Sequence, residues 1–283
     1  MDWSSRTLVR TPTPRSEQSM EIAAFDHEQR QKLEDYTSVI GVGIQFAFQP
    51  VVDLESSQVK GYEALLRGRS GEPSSSIIEN VLPENLAFFD QACRTRAIAE
   101  AAKLDVRGAL FVNCMQIRPD NLELALSTTR EQAERYGMRP EQIVLEFASL
   151  ARLGNPRELV HTRERAQAHG FRVLVDNFGT GEAGLKRLAV FQPDYVKLDH
   201  ELVHGIQNSR RRQAMARGVL ACCQALGVEV IAAGLEQQAE LRWLYQELDL
   251  RLFQGYYFAR PRLAAKPRVA PERIELPAAP SAA

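Results

Sequence analysis

Between residues 44 and 254 the chain alternates short, almost unbroken apolar runs with stretches in which apolar residues recur every three or four positions. The short runs fall at 44–53, 59–66, 109–113, 143–147, 173–176, 195–199, 228–232 and 251–254. Amphipathic patterns fill the gaps at 85–103, 120–136, 157–169, 209–226 and 238–248. Near-continuous apolar strands separated by helices predict a parallel sheet covered on both faces. About eight such strands in one domain predict an α/β fold of the (β/α)8 TIM-like barrel type rather than an open sheet. The first two runs are joined by a polar turn at 53–58 with no helix between them, so the first strand is predicted to be antiparallel.

The 283 residues suffice for one large domain, here placed at 41–262. Residues 1–40 form an N-terminal extension, partly disordered, whose first part is polar and carries Pro12 and Pro14. Residues 263–283 are rich in Ala and Pro and predict a disordered tail. A formal net charge of -1 gives no broad attraction to nucleic acid or membrane. No apolar run is long enough to span a bilayer, and residues 1–19 lack the apolar core of a secretory signal. The four cysteines, Cys93, Cys114, Cys222 and Cys223, have no metal-ligand spacing, which reads as reduced thiols in a cytoplasmic protein. Cys222 and Cys223 lie in an apolar helical pattern and read as core.

The strand ends change the picture. One run closes on Asn113, one carries Glu146 near its end, one meets Asp176 and Asn177, and one reaches Lys197, while Glu63 interrupts the second. A charged group at the end of a buried strand costs desolvation energy unless it is paired or metal-bound. A single acid in such a place is commonly a loop residue or a cap. Five on five strands converge, in a barrel, on the C-terminal mouth where such folds hold their chemistry. Three carboxylates and an amide oxygen suit a hard cation, Mg²⁺ or Mn²⁺, rather than zinc.

These segments resemble a known family. FAFQPVVDLESSQVKGYEALLR, running to Arg67, resembles the start of an EAL domain, with Glu63, Ala64 and Leu65 as its signature. Phe111 to Asn113 is similar to the family's metal-binding Asn segment, and DNFGTG from Asp176 matches its Asp-Asp-Phe-Gly-Thr-Gly. EFAS from Glu146, YVKLD from Tyr195, VIAAGLE from Val230 and QGYYFARP from Gln254 follow in the family's order. The resemblance implies a barrel that cleaves or senses cyclic di-GMP. It assigns Glu63, Asn113, Glu146 and Asp176 to a metal, Lys197 to the attacking water or a phosphate oxygen, Arg67 to phosphate, and Gln49 and Gln254 to the ligand pocket.

Three acidic positions of the family's pattern are lost. Asn177 replaces an Asp that reaches a second metal, Ala233 replaces a Glu that serves as base and metal partner, and Ser149 replaces a Glu that steadies the following loop. Glu182 stands where the family has a Tyr after the glycine. A missing general base costs about 10²–10⁴-fold in rate. Glu236, Glu182 and Glu240 are the acids in this sequence that would have to substitute for it. The resemblance therefore implies a degenerate member, with one metal site at most, that acts through a regulatory protein partner to repress motility or virulence genes. The alternatives are a cyclic di-GMP receptor that binds without cleaving and a slow phosphodiesterase. The resemblance also allows a homodimer.

The basic run Ser209–Arg212 is a weak nucleic-acid signal in a neutral chain and reads as a solvated helix face, so no direct DNA binding is expected. Gly181 to Gly184, near a helix start, reads as a barrel loop rather than a phosphate cradle. Phe88, Phe89, Trp243 and Tyr245 follow helical spacing and read as packing rather than ligand stacking.

Overall fold

The computed structural model describes residues 43–148, 150–179 and 184–274. The N-terminal extension, Ser149, Glu182 and residues 275–283 lie outside the described residues.

Eight strands close a barrel. They are β1 (Ile44–Asp53), β2 (Gln58–Gly68), β3 (Ala109–Asn113), β4 (Ile143–Phe147), β5 (Arg172–Phe178), β6 (Tyr195–Leu198), β7 (Glu229–Ala232) and β8 (Leu252–Phe253). Neighbours from β2 to β8 pair in parallel, and β1 closes the ring antiparallel to both β2 and β8. The expected (β/α)8 barrel with a reversed first strand is what forms. A two-residue ninth strand, β9 (Arg262–Leu263), adds to the upper half of β1.

Among the described residues, six helices of seven residues or more surround the ring: α1 (Leu86–Lys103), α2 (Leu122–Arg135), α3 (Pro156–Ala168), α4 (Leu185–Phe191), α5 (Arg210–Ala225) and α6 (Gln238–Leu248). Local chemistry sets their starts. Asn155 accepts from the amides of Arg157 and Glu158, Glu158 reaches back to the Asn155 amide, and Pro156 sits at the first helical position. Ser209 caps α5 by accepting from the Arg212 amide, which makes the basic run a helix start. The pattern at 184–191 gives no helix prediction because α4 spans only seven residues, two turns at most.

Alternation of side chains divides the apolar residues into two cores. One lies between sheet and helices and includes Phe48, Leu110, Leu145 and Leu198. The other fills the barrel interior, where Val51, Phe111, Val144, Leu174, Tyr195, Ile231 and Leu252 meet. At the β2 position in that interior stands Gly61, and a Cβ there would lie 2.1 Å from the Ala109 carbonyl oxygen. Only glycine lets β2 and β3 approach so closely.

The start of the expected tail is packed. Tyr62 donates to the Pro267 carbonyl at 3.1 Å, Lys266 donates to the Asp105 carbonyl at 2.7 Å, and Val269 and Ile274 pack on the outer core. Tyr62 alternates with Glu63, so it faces outward from the β1–β2 hairpin, which has no crossover helix of its own. Prolines suit this extended cover because they need no ladder partner. Cys223 is buried as expected and Cys222 half-buried, and all four cysteines are free thiols. Phe89 is core, while Trp243 and Tyr245 pack at the edge under Arg217 and Arg251.

Candidate functional site at the barrel mouth

The side chain two residues beyond each inner apolar residue points into the same barrel at its mouth. Phe111 leads to Asn113, Val144 to Glu146, Leu174 to Asp176 and Tyr195 to Lys197. Ile231 leads to Ala233 and Leu252 to Gln254. On the reversed β1, Val51 leads back to Gln49, and on β2 Gly61 leads to Glu63. Each of the eight strands thus contributes one position to a ring, and seven of the eight are polar. The apolar one is Ala233, half-buried just past the end of β7.

Lys197 binds the ring together. Its buried ammonium donates to Glu146 Oε1 at 2.6 Å and to Glu63 Oε2 at 3.1 Å, and Asp176 Oδ1 lies 4.0 Å away. Gln254 also donates to Glu63 Oε2, at 2.6 Å. Gln49 turns to the Ala259 carbonyl at 3.2 Å.

Burial and pairing set the charges. Burial pushes Glu63 up, but the Lys197 ammonium and the Gln254 amide outweigh it and hold the carboxyl below the ordinary range. Burial, with the Glu63 charge beside it, pushes Glu146 well above the ordinary range despite Lys197. Burial also raises Asp176 against the pull of Lys197. Burial alone would lower Lys197, yet the three carboxylates win and raise it.

Asn177 occupies a left-handed backbone conformation, φ 51°, at an irregularity in the β5–β6 register. Asparagine tolerates that conformation better than most residues. Its side-chain amide donates to Asp176 Oδ2 at 3.1 Å, which a carboxylate in its place would not do.

A cavity of about 240 Å³ opens beside this ring, bounded by Glu63, Asn113, Asp176, Arg94 and Met115. A second, of about 350 Å³, lies on the other side of the mouth, bounded by Gln49, His200, Glu236, Gln254 and Tyr256. Arg67 follows Glu63 on the same face of β2 but spends a guanidinium N–H on the Leu66 carbonyl at 2.8 Å. Of the substitute acids, Glu236 borders the second cavity. Glu240 is fully buried and accepts from the amides of Gly205, Glu236 and Gln237, so it serves as a loop anchor.

The donor set fits a hard cation. Three carboxylates against one ammonium leave excess negative charge, and Glu146 Oε2 is buried with no hydrogen-bond partner. An orphan carboxylate oxygen is costly unless something positive meets it. As the side chains stand, no group of three His, Cys, Asp or Glu among the described residues forms a closed cage for a metal.

Sequence reasoning missed two residues behind the ring. Asp90 and Arg94 of α1 form a fully buried ion pair, and Arg94 borders the first cavity. An i,i+4 acid–base pair inside an amphipathic stretch looks like an ordinary exposed helix pair. The small residues between and after them, Ala92, Cys93 and Ala97, are the only local sign that this face is covered.

The EAL domain family profile matches residues 38–261. The blue light- and temperature-regulated antirepressor BluF of Escherichia coli is 29% identical over 81% of this chain and 57% of its own length. The probable cyclic di-GMP phosphodiesterase PdeN of Escherichia coli is 30% identical over 76% of this chain and 43% of its own length. This chain therefore spans about half the length of these curated relatives. A standalone versatile EAL protein from Vibrio cholerae, solved bound to c-di-GMP, superposes with TM-score 0.77 at 36% identity, covering 82% of this chain and 98% of that one. BlrP1 of Klebsiella pneumoniae, solved as a manganese and cy-diGMP complex, gives TM-score 0.72 at 32% identity over 78% of this chain and 56% of that one. No helix among the described residues is long and apolar enough to cross a membrane. The ring of side chains, the reversed first strand and the profile match agree: the chain belongs to the EAL domain family.

Proposed function

We propose that this protein is a degenerate EAL regulator, impaired in phosphodiester cleavage, that acts by binding a protein partner and represses motility or virulence gene expression. The observation that carries this reading is Ala233. The methyl group at the β7 position of the ring can neither take a proton from water nor bind a cation. The likeness to an antirepressor supports a regulatory role.

A second reading is supported by the two cavities on either side of the mouth, one bounded by Glu63, Asn113 and Asp176 and the other by Gln49 and Gln254: cyclic di-GMP is bound across them without being cut. Arg67, Gln49 and Gln254 would then contact the ligand. Glu63, Asn113, Glu146 and Asp176 would hold one Mg²⁺ or Mn²⁺, and the manganese complex of BlrP1 supports a divalent ion. Such an ion, when bound, screens phosphate charge and polarises a phosphoryl oxygen. The chain's own residues orient that site, with Lys197 holding Glu63 and Glu146 and Asn177 holding Asp176.

The test is one incubation of purified protein with cyclic di-GMP and Mg²⁺ or Mn²⁺, following bound ligand and linear dinucleotide together. Binding without product supports the receptor, and neither supports regulation through protein contact alone. Steady product that vanishes in Glu63→Ala would overturn the loss of cleavage.

A further inference from the structure

The loop that follows Asn113 is held from outside the barrel by a side chain of α1. Asp90 Oδ1 accepts the Met115 amide at 3.0 Å, and Asp90 Oδ2 accepts the Gln116 amide at 3.1 Å. On its other side Cys114 donates its amide to the Glu146 carbonyl at 2.8 Å. Three successive amides after Asn113 are therefore fixed, two of them by one carboxylate.

That carboxylate is itself built in. Arg94 pairs with Asp90, donates to Gln91 Oε1 at 2.5 Å and to Thr129 Oγ1 at 3.4 Å, and Thr129 donates to the Ala125 carbonyl at 2.7 Å. Asp90, Gln91, Arg94 and Thr129 are all buried between α1 and α2. A closed polar network in that position is rigid because every loosened group would be left unpaired in low dielectric.

We propose that Asp90 is a positioning residue for Asn113. It fixes the backbone on which the Asn113 amide is presented to the cavity, and Arg94 fixes Asp90. Neither residue is among the oxygen donors of the ring, and the role rests on the reading of Asn113 as a cation ligand. Partners of this kind, one step behind a metal ligand, typically change metal affinity by about 10–100-fold.

Two measurements on the full chain separate the proposal from that reading. The first needs no metal. In Asp90→Asn/Arg94→Gln, in which no charge is left unpaired, hydrogen exchange at the Met115 and Gln116 amides is expected to quicken at least tenfold relative to neighbouring β3 amides. Unchanged protection there overturns the proposal. The second is Mn²⁺ binding, read by the loss of free-ion electron paramagnetic resonance signal. The double variant is expected to bind about tenfold or more weakly. Thr129→Val, which loosens the same network without touching the loop, is expected to lower thermal stability and keep wild-type Mn²⁺ affinity. Equal weakening in both variants means a merely structural role and overturns the proposal. Wild-type affinity in Glu63→Gln and Glu146→Gln would instead defeat the metal reading, leaving the exchange result to decide what Asp90 does.

Discussion

Lys197 Nζ lies 2.6 Å from Glu146 Oε1, while the other oxygen of the same carboxylate meets no partner. One half of Glu146 is neutralised and the other half is stranded. The mouth of the barrel is thus held in a compromise: the ammonium satisfies parts of three carboxylates and all of none.

Removing the ammonium should expose that compromise. Lys197→Met is expected to destabilise the protein by about 3–5 kcal/mol, the usual result of leaving buried charge unpaired. Mn²⁺ or Mg²⁺ is expected to restore part of the loss in the variant and to stabilise the wild type less. Urea unfolding with and without the ion checks both.

The pH dependence follows from the opposite directions of the two glutamates. Glu146 has its folded pKa raised, so its protonated form contributes stability that is full below the ordinary glutamate range and is lost as pH rises through the folded value. Glu63 has its folded pKa lowered, so its contribution is present above the ordinary range and lost as pH falls through its folded value. Glu146→Gln, which imitates the protonated form, should raise the metal-free melting temperature at neutral pH and flatten its decline between the ordinary glutamate range and neutrality. A lower melting temperature at neutral pH would show that the charged form is the stabilising one.

Refilling the vacant position tests the catalytic reading. Ala233→Glu with Asn177→Asp is expected to raise cyclic di-GMP cleavage by about 10²-fold or more over any trace rate, the lower end of what a general base supplies. Linear dinucleotide measured by chromatography is the readout. A rate that stays flat while ligand binding is kept would overturn Ala233 as the position that decides cleavage.

The barrel floor gives a prediction independent of chemistry. Gly61→Ala places a methyl group against the Ala109 carbonyl, backbone that cannot step aside, and should cost about 1–3 kcal/mol as an overpacked contact does. Denaturant unfolding measures it.

The barrel was legible because buried parallel strands write themselves as apolar runs, and the eight runs recur as β1 to β8 nearly to the residue. The polar ends of those runs pointed to one mouth, and Glu63, Glu146 and Lys197 meet there within hydrogen-bonding distance. Distances between side chains from different strands depend on barrel shear, which no local pattern encodes, so the central place of Lys197 was not readable. Asp90 and Arg94 were hidden by their helical spacing, which is the same for an exposed pair and a buried one. Residues 264–274 were misread because composition reports what a segment can do alone, whereas Tyr62 and Asp105 supply the partners that hold it.

The arrangement of one mouth position per strand, each standing above its own apolar anchor, separates architecture from reactivity. A substitution at the rim alters which protons and ions the molecule can handle and leaves the interior packing as it was. Such a scaffold can trade turnover for recognition one letter at a time while remaining the same folded object.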